Sequence, residues 1–159
     1  MINILFVCMG NICRSPSAEA VMNSIIKQSN LTEKIKCDSA GIISYHVGET
    51  ADDRMMKHAS KRGYDLTSIA RQIQHIDLEL FDYIVTMDEE NYENVLAMER
   101  QAKFEAKVSK ITDYSRHYDA NEVPDPYYGG PQGFEYVLDL LEDSCAGLLE
   151  HVLKEHPEI

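Results

Sequence analysis

The chain has 159 residues, of which 44% are hydrophobic and 26% are charged, an ordinary composition for a folded globular protein. Its formal net charge of −12 argues against nucleic acid as a partner, because such binding requires a basic surface, and no apolar run reaches the ~20 residues of a membrane-spanning helix. Four cysteines, in a chain that opens without a signal-peptide pattern, predict a reducing, cytoplasmic location without a disulfide framework.

Strands and helices are predicted to alternate along the chain. Apolar segments indicate strands at 2–7, 35–39, 82–87 and 107–112, and helical spacing indicates helices at 17–29, 51–62 and 91–101. A final amphipathic helix carries its apolar stripe from Phe134 to Val152. This order predicts a single-domain, three-layer α/β fold over residues 1–159, with a central four-stranded parallel sheet and helices on both faces.

The most informative segment follows the first strand and reads Val-Cys-Met-Gly-Asn-Ile-Cys-Arg-Ser-Pro over residues 7–16. Cys8 and Arg14 bracket a loop between a strand and a helix, where converging backbone N–H groups form an anion site. The same field favours a cysteine thiolate, and an arginine binds an oxyanion through two parallel hydrogen bonds. Ser15 is the predicted N-cap of the helix. The segment predicts a phosphatase with Cys8 as nucleophile and Arg14 as phosphate ligand.

A second segment, Asp125-Pro126-Tyr127-Tyr128-Gly129-Gly130, strengthens this interpretation. With both segments the chain resembles, from end to end, the low-molecular-weight protein tyrosine phosphatases. The resemblance extends through further stretches at 38–41, 45–48, 70–73 and 81–88. Two residues depart from the family pattern: Ile42 stands in place of a threonine and Asp53 in place of a proline, which leaves the effect on specificity open.

The resemblance implies hydrolysis of protein phosphotyrosine, and of small aryl phosphates, through a cysteinyl-phosphate on Cys8. Asp125 is the expected general acid and base, because a phenolate with a conjugate-acid pKa near ~10 needs a proton to leave at neutral pH. Inorganic phosphate and other oxyanions are expected as ligands. They would bind Arg14 and the loop residues Met9, Gly10, Asn11, Ile12, Cys13 and Ser15.

Three of these loop residues keep two interpretations each. By resemblance, Ser15 donates its hydroxyl to the Cys8 sulfur, but it can equally be a plain helix cap. Asn11 either holds the loop through its side chain or serves only because asparagine tolerates left-handed backbone angles. Cys13 either forms a reversible disulfide with Cys8 on oxidation, as the resemblance implies, or only packs in the loop.

Tyrosines are expected to form the walls of the substrate site. By resemblance, Tyr45, Tyr127 and Tyr128 enclose the substrate ring, and each offset-stacked pair contributes ~0.5–1.5 kcal/mol. Tyr127 and Tyr128 also resemble tyrosines that kinases modify in this family, which leaves regulation there open. Asp88 resembles an aspartate that orders the loop near the acid, and we expect a structural role for it.

No cofactor or metal is expected, because the six histidines show no metal-ligand spacing. The expected partners are phosphotyrosine-containing proteins, and the expected state is a monomer, with a weak dimer left open. An arsenate reductase would need two further cysteines near the third strand, and a protein-arginine phosphatase would carry threonine in place of Ile12. The remaining alternative is a non-catalytic phosphate-binding module, against which the intact nucleophile, arginine and acid argue.

Overall fold

A computed structural model describes residues 1–99 and 101–159, and its centre is a four-stranded sheet in the order β2-β1-β3-β4. Every neighbouring pair of strands is parallel, which confirms the predicted sheet. The strands are β1 Ile2–Cys8, β2 Ile35–Gly41, β3 Tyr83–Thr86 and β4 Val108–Lys110.

The helices lie on both faces of this sheet, as predicted. They are α1 Arg14–Gln28, α2 Asp53–Lys61, α3 His75–Leu80, α4 Glu89–Leu96 and α5 Pro131–Glu155, with short 3-10 turns at Glu105–Lys107 and Ile111–Tyr114.

Alternation along β1 builds the two cores, because successive side chains of a strand point to opposite faces. Ile4 and Phe6 pack into a cluster with α1, α2 and α5, whereas Leu5 and Val7 pack into a second cluster with α3 and α4. All four side chains are fully buried. Among the described residues, no helix combines the length and the apolar character needed to cross a membrane.

Several predicted boundaries are corrected by the structure. The helix predicted at 91–101 ends at Leu96, with residue 100 outside the described residues. The strand predicted at 107–112 covers only Val108–Lys110, because a 3-10 turn begins at Ile111. Helix α3 was not predicted, since its six residues are too few to show a helical period.

The predicted N-cap at Ser15 is wrong. Helix α1 already begins at Arg14, and Cys13 occupies the cap position without a side-chain capping bond. Ser15 therefore lies within the first turn, fully buried, and its hydroxyl contacts the Cys8 sulfur instead of the helix end.

Candidate active site

A cleft of about 350 Å³ opens at the carboxyl end of β1. It brings together most of the residues predicted for the site, although they come from distant parts of the chain. Its walls are formed by Cys8, Met9, Gly10, Ile12, Cys13, Arg14, Ile43, Tyr45, His46, Asp125, Tyr127 and Tyr128. Asn11 and Ser15 do not line the cleft; both are buried next to it.

The loop of residues 9–13 joins the end of β1 to the start of α1 at the floor of this cleft. No backbone N–H from Gly10 to Cys13 donates to a backbone carbonyl within the described part of the chain. These groups, together with the N-terminus of α1, are available to bind an anion. Asn11 has a left-handed backbone with φ of 59°, which lets the loop turn tightly.

Gly41 supports the loop from the neighbouring strand, where it pairs with Cys8. A Cβ atom on Gly41 would lie 3.0 Å from the oxygen of Met9, 3.0 Å from the carbonyl carbon of Gly10 and 3.1 Å from the nitrogen of Asn11. Only glycine therefore allows β2 to approach the loop this closely.

The Cys8 sulfur is held in a short series of polar contacts. Its Sγ lies 3.0 Å from Oγ of Ser15, and Nδ2 of Asn11 donates to the same Oγ at 2.8 Å. The Oδ1 atom of Asn11 accepts a hydrogen bond from the backbone N–H of Arg71 at 3.0 Å. Because Asn11 is bonded through both ends of its amide, its side chain has a fixed orientation.

Arg14 is a buried cation whose orientation is set by two partners. Its Nη1 atom donates to Oδ2 of Asp88 at 2.6 Å and to the carbonyl of Val123 at 3.0 Å. Its Nη2 atom lies 3.6 Å from Oδ2 of Asp125. Burial alone would lower the pKa of this guanidinium, but the Cys8 sulfur and the Asp88 and Asp125 carboxylates raise it above its ordinary value. Arg14 therefore stays charged.

Asp125 lies at the cleft mouth, where its side chain remains 44% exposed. Its Oδ1 atom accepts a hydrogen bond from the backbone N–H of Tyr127 at 3.0 Å, which orients the carboxylate. The rings of Tyr127 and Tyr128 meet edge to face, with centroids 4.9 Å apart. The ring of Tyr45 meets that of His46 edge to face, with centroids 4.8 Å apart.

Two cysteines share this cleft, and their surroundings differ. Cys13 is buried beside Asp52, and burial together with that carboxylate raises the pKa of its thiol well above the ordinary value. Cys13 is therefore a neutral thiol at physiological pH.

No group of three His, Cys, Asp or Glu side chains is placed to hold a metal ion in residues 1–99 and 101–159.

Sequence reasoning missed three contacts of the cleft floor. Asp88 was expected to order a loop, but it also binds Arg14 directly, and its Oδ1 atom caps α4 through the N–H of Asn91 at 2.8 Å. Its position just after the third strand was the signal for a place at the site. The carbonyl of Val123 and the N–H of Arg71 act through the main chain, so their residue types gave no signal.

Comparison with known proteins gives one consistent result. The family model for low molecular weight phosphotyrosine protein phosphatase matches residues 3–158 of the chain. A Synechocystis chain named as a low molecular weight protein-tyrosine-phosphatase is 52% identical over 152 residues, which are 96% of this chain and 97% of that one. The low molecular weight protein-tyrosine-phosphatase YfkJ of Bacillus subtilis is 40% identical over 98% of both chains.

Solved structures give the same match at the level of the fold. The protein tyrosine phosphatase of Entamoeba histolytica, crystallised with Hepes in its active site, superposes with a TM-score of 0.92 at 46% identity over 100% of both chains. A Drosophila arginine phosphatase superposes with a TM-score of 0.85 at 29% identity, covering 94% of this chain and 96% of that one. The described scaffold is therefore shared by enzymes named for two different substrates.

Proposed function

Since the chain belongs to the low molecular weight phosphotyrosine protein phosphatase family, we propose that it hydrolyses protein phosphotyrosine through a cysteinyl-phosphate on Cys8. The proposal takes residues 1–159 as one catalytic domain. The observation that carries it is the meeting of a sulfur, a buried guanidinium and a half-exposed carboxylate in one cleft with unpaired loop amides. No other cleft described for this chain combines these three groups.

In the first step, the phosphate binds the loop amides and Arg14, and the Cys8 thiolate attacks phosphorus. The S–P bond forms as the bond from phosphorus to the phenolic oxygen breaks, and Asp125 gives its proton to that oxygen. The bonds to Asp88 and Val123 support this role, because both use Nη1 and leave Nε and Nη2 of Arg14 to donate to the anion.

In the second step, water attacks the phosphorus of the cysteinyl-phosphate while Asp125 takes a proton from that water. The S–P bond breaks, inorganic phosphate leaves, and Cys8 returns as a thiolate. The Ser15 hydroxyl, 3.0 Å from the sulfur, donates to the developing negative charge and makes Cys8 a better leaving group.

The walls of the cleft favour a tyrosine substrate. Tyr45, Tyr127 and Tyr128 offer three aromatic faces or edges to a planar ring, and Ile12 contributes an apolar surface at the floor. Arginine phosphate is the second candidate, because an arginine phosphatase shares the fold at 29% identity. Its guanidinium nitrogen calls for polar partners, and Ile12 offers none.

The decisive experiment is turnover of a 32P-labelled phosphotyrosine peptide, quenched rapidly in alkaline denaturant, followed by identification of the labelled residue. We expect label on Cys8 that is stable in alkali and lost in acid, as for a thiophosphate ester, and no label in Cys8→Ser. A parallel assay with phosphoarginine measures the second candidate. Hydrolysis of phosphotyrosine peptides without protein-bound phosphorus would contradict the mechanism, and a preference for phosphoarginine would contradict the substrate.

Redox sensitivity is part of the same proposal. Peroxide oxidises the Cys8 thiolate to a sulfenic acid. The Cys13 sulfur then attacks the Cys8 sulfur as its proton passes to the departing hydroxide, so that the S–O bond breaks and a disulfide and water form. The two residues line the same cleft, which supports this pairing. After peroxide treatment, dithiothreitol should restore activity to the natural protein but far less to Cys13→Ser. Equal recovery in both would remove Cys13 from this role.

A further inference from the structure

A second polar cluster lies behind the nucleophile, in the segment 70–73 that leads towards α3. This segment runs beside the end of β2: Gly41 donates to the carbonyl of Arg71 at 2.8 Å, and Ile73 donates to the carbonyl of Gly41 at 2.8 Å. Gly41 is also the strand partner of Cys8. The main chain at Arg71 is therefore attached to the same backbone that supports the nucleophile.

The side chain of Arg71 is bound by two carboxylates. Its Nη1 and Nη2 atoms donate to the two oxygens of Asp77 at 3.0 and 3.2 Å, and its Nε and Nη2 atoms donate to Oδ2 of Asp38 at 3.2 and 3.0 Å. Asp77 is almost fully buried and also accepts from the N–H of Gln74 at 2.7 Å. A two-pronged contact to a fixed carboxylate is specific to arginine, because lysine lacks the planar fork.

The main chain of Arg71 then contacts the loop. Its N–H donates to Oδ1 of Asn11, whose Nδ2 donates to Oγ of Ser15, which lies 3.0 Å from Sγ of Cys8. We propose that Arg71 is a positioning residue: its guanidinium, bound to Asp77 and Asp38, holds the N–H that orients Asn11 and, through Asn11, the Ser15 hydroxyl against Cys8.

This inference rests on the proposed function, because it concerns the departure of Cys8 from phosphorus. A misplaced Ser15 hydroxyl stabilises the leaving thiolate less, so breakdown of the cysteinyl-phosphate should slow. Phosphate binding depends on Arg14 and the loop amides and should change little. The expected signature is therefore a fall in kcat with KM for p-nitrophenyl phosphate unchanged or lower.

Stopped-flow turnover of p-nitrophenyl phosphate separates the two steps as a burst and a steady rate. We expect Arg71→Gln to keep the burst and to slow breakdown about tenfold, within the range of coupling seen for residues in one network. Arg71→Lys should recover part of this loss. Asp77→Asn, which keeps an oxygen for Gln74 but loses the charge, should slow breakdown in the same way if Arg71→Gln does not fold.

A double-mutant cycle with Asn11→Ala tests whether Arg71 acts through Asn11. In the Asn11→Ala background, Arg71→Gln should slow breakdown by less than about twofold. The matched control is Arg62→Gln, which removes an arginine bound to Glu135 and Asp139 on the helical layer. That variant should lower thermal stability and leave the breakdown rate unchanged.

Equal slowing by Arg71→Gln in both backgrounds, or breakdown as fast as in the unmodified protein, would overturn the proposal. Slowing of breakdown by Arg62→Gln to the same extent would also overturn it, since the effect would then follow stability. Failure of the proposed function is distinguishable, because the unmodified protein would then give neither a burst nor protein-bound phosphorus.

Discussion

Cys8 and Arg14 at the floor of the cleft, and Asn11 and Ser15 buried next to them, are at most 2% exposed, whereas Tyr45 and Tyr128 at its rim are 82% and 92% exposed. The floor residues contact one another or neighbouring segments through hydrogen bonds, so their positions are set by folding. The two rim tyrosines lie largely in solvent, and each packs against one neighbouring ring, Tyr45 against His46 and Tyr128 against Tyr127. The floor is therefore suited to chemistry, and the rim to substrate affinity.

This difference separates the kinetic effects expected from substitution. A buried polar group that loses its partner carries a desolvation penalty, and a displaced reacting group slows the chemical step. An exposed aromatic residue contributes mainly surface contact. Floor variants should consequently lower kcat, and rim variants should raise KM for peptides.

The largest effect is expected at Arg14. Arg14→Lys keeps the charge but loses the planar fork, so the transition-state oxygens lose one of their two bonds, and kcat should fall about 10²- to 10³-fold. Steady-state turnover of p-nitrophenyl phosphate measures this directly. Near-normal kcat would show that the buried guanidinium does not contact the reacting phosphate.

Asp125 lies between floor and rim, and the loss of rate on its replacement should depend on the leaving group. Asp125→Ala should slow hydrolysis of phenyl phosphate about 10²-fold, because the phenolate then leaves without a proton. Esters with acidic phenols, such as p-nitrophenyl phosphate, should be slowed much less in the first step. A series of aryl phosphates, measured with both proteins, gives the slope of the logarithm of the rate against the pKa of the leaving phenol. Identical slopes for the two proteins would contradict the acid role.

Replacement of Gly41 tests whether main-chain support of the loop affects kcat as much as the side chains at the floor do. Gly41→Ala places a Cβ atom 3.0 Å from the loop backbone, so the loop must shift and kcat should fall about tenfold or more. Gly133→Ala is the matched control, since the nearest atom to its Cβ is 3.7 Å away. Crystal structures with vanadate would locate the shift. Unchanged kcat in both variants would show that the loop tolerates the added Cβ atom at position 41.

The smallest effect is expected at the rim. Tyr45→Ala and Tyr128→Ala should each raise KM for a phosphotyrosine peptide by roughly 2- to 10-fold, as expected from the loss of one aromatic contact. Their kcat for p-nitrophenyl phosphate should stay within about twofold of the unmodified protein. A large fall in kcat from either variant would erase the distinction between floor and rim.

The same distinction explains which features the sequence could predict. The segment from Cys8 to Arg14 is local, because five residues between a strand and a helix suffice to define the loop and its chemistry. The bond from Arg14 to Asp88 spans 74 positions, and that from Arg71 to Asn11 spans 60, so neither pairing leaves a pattern in the sequence, although the place of Asp88 after the third strand indicated a position near the site. Such contacts arise only when the sheet brings its strand ends together.

Secondary structure was likewise predictable where a local sequence pattern was long enough to define it. Helix α5 was predictable because its apolar stripe repeats over about five turns, whereas α3 has only six residues and begins with a cap in which Asp77 accepts from the N–H of Gln74. Ser15 was misjudged because cap preferences describe side chains that turn back to the helix, and this hydroxyl contacts a sulfur instead.

Val123 lies two residues before Asp125 and is held through both of its main-chain polar groups. Its carbonyl accepts from Arg14 at 3.0 Å, and its N–H donates to the carbonyl of Met87 at 2.8 Å. Both bonds use main-chain atoms, so they persist under exchange of the side chain for another of similar bulk. A chimera that receives residues 123–130 from a relative should keep this link between Arg14 and the segment that carries Asp125, the proposed proton donor, whatever side chain stands at position 123. The side chains of this segment can therefore be exchanged without removing the main-chain bonds that hold it to Arg14 and Met87.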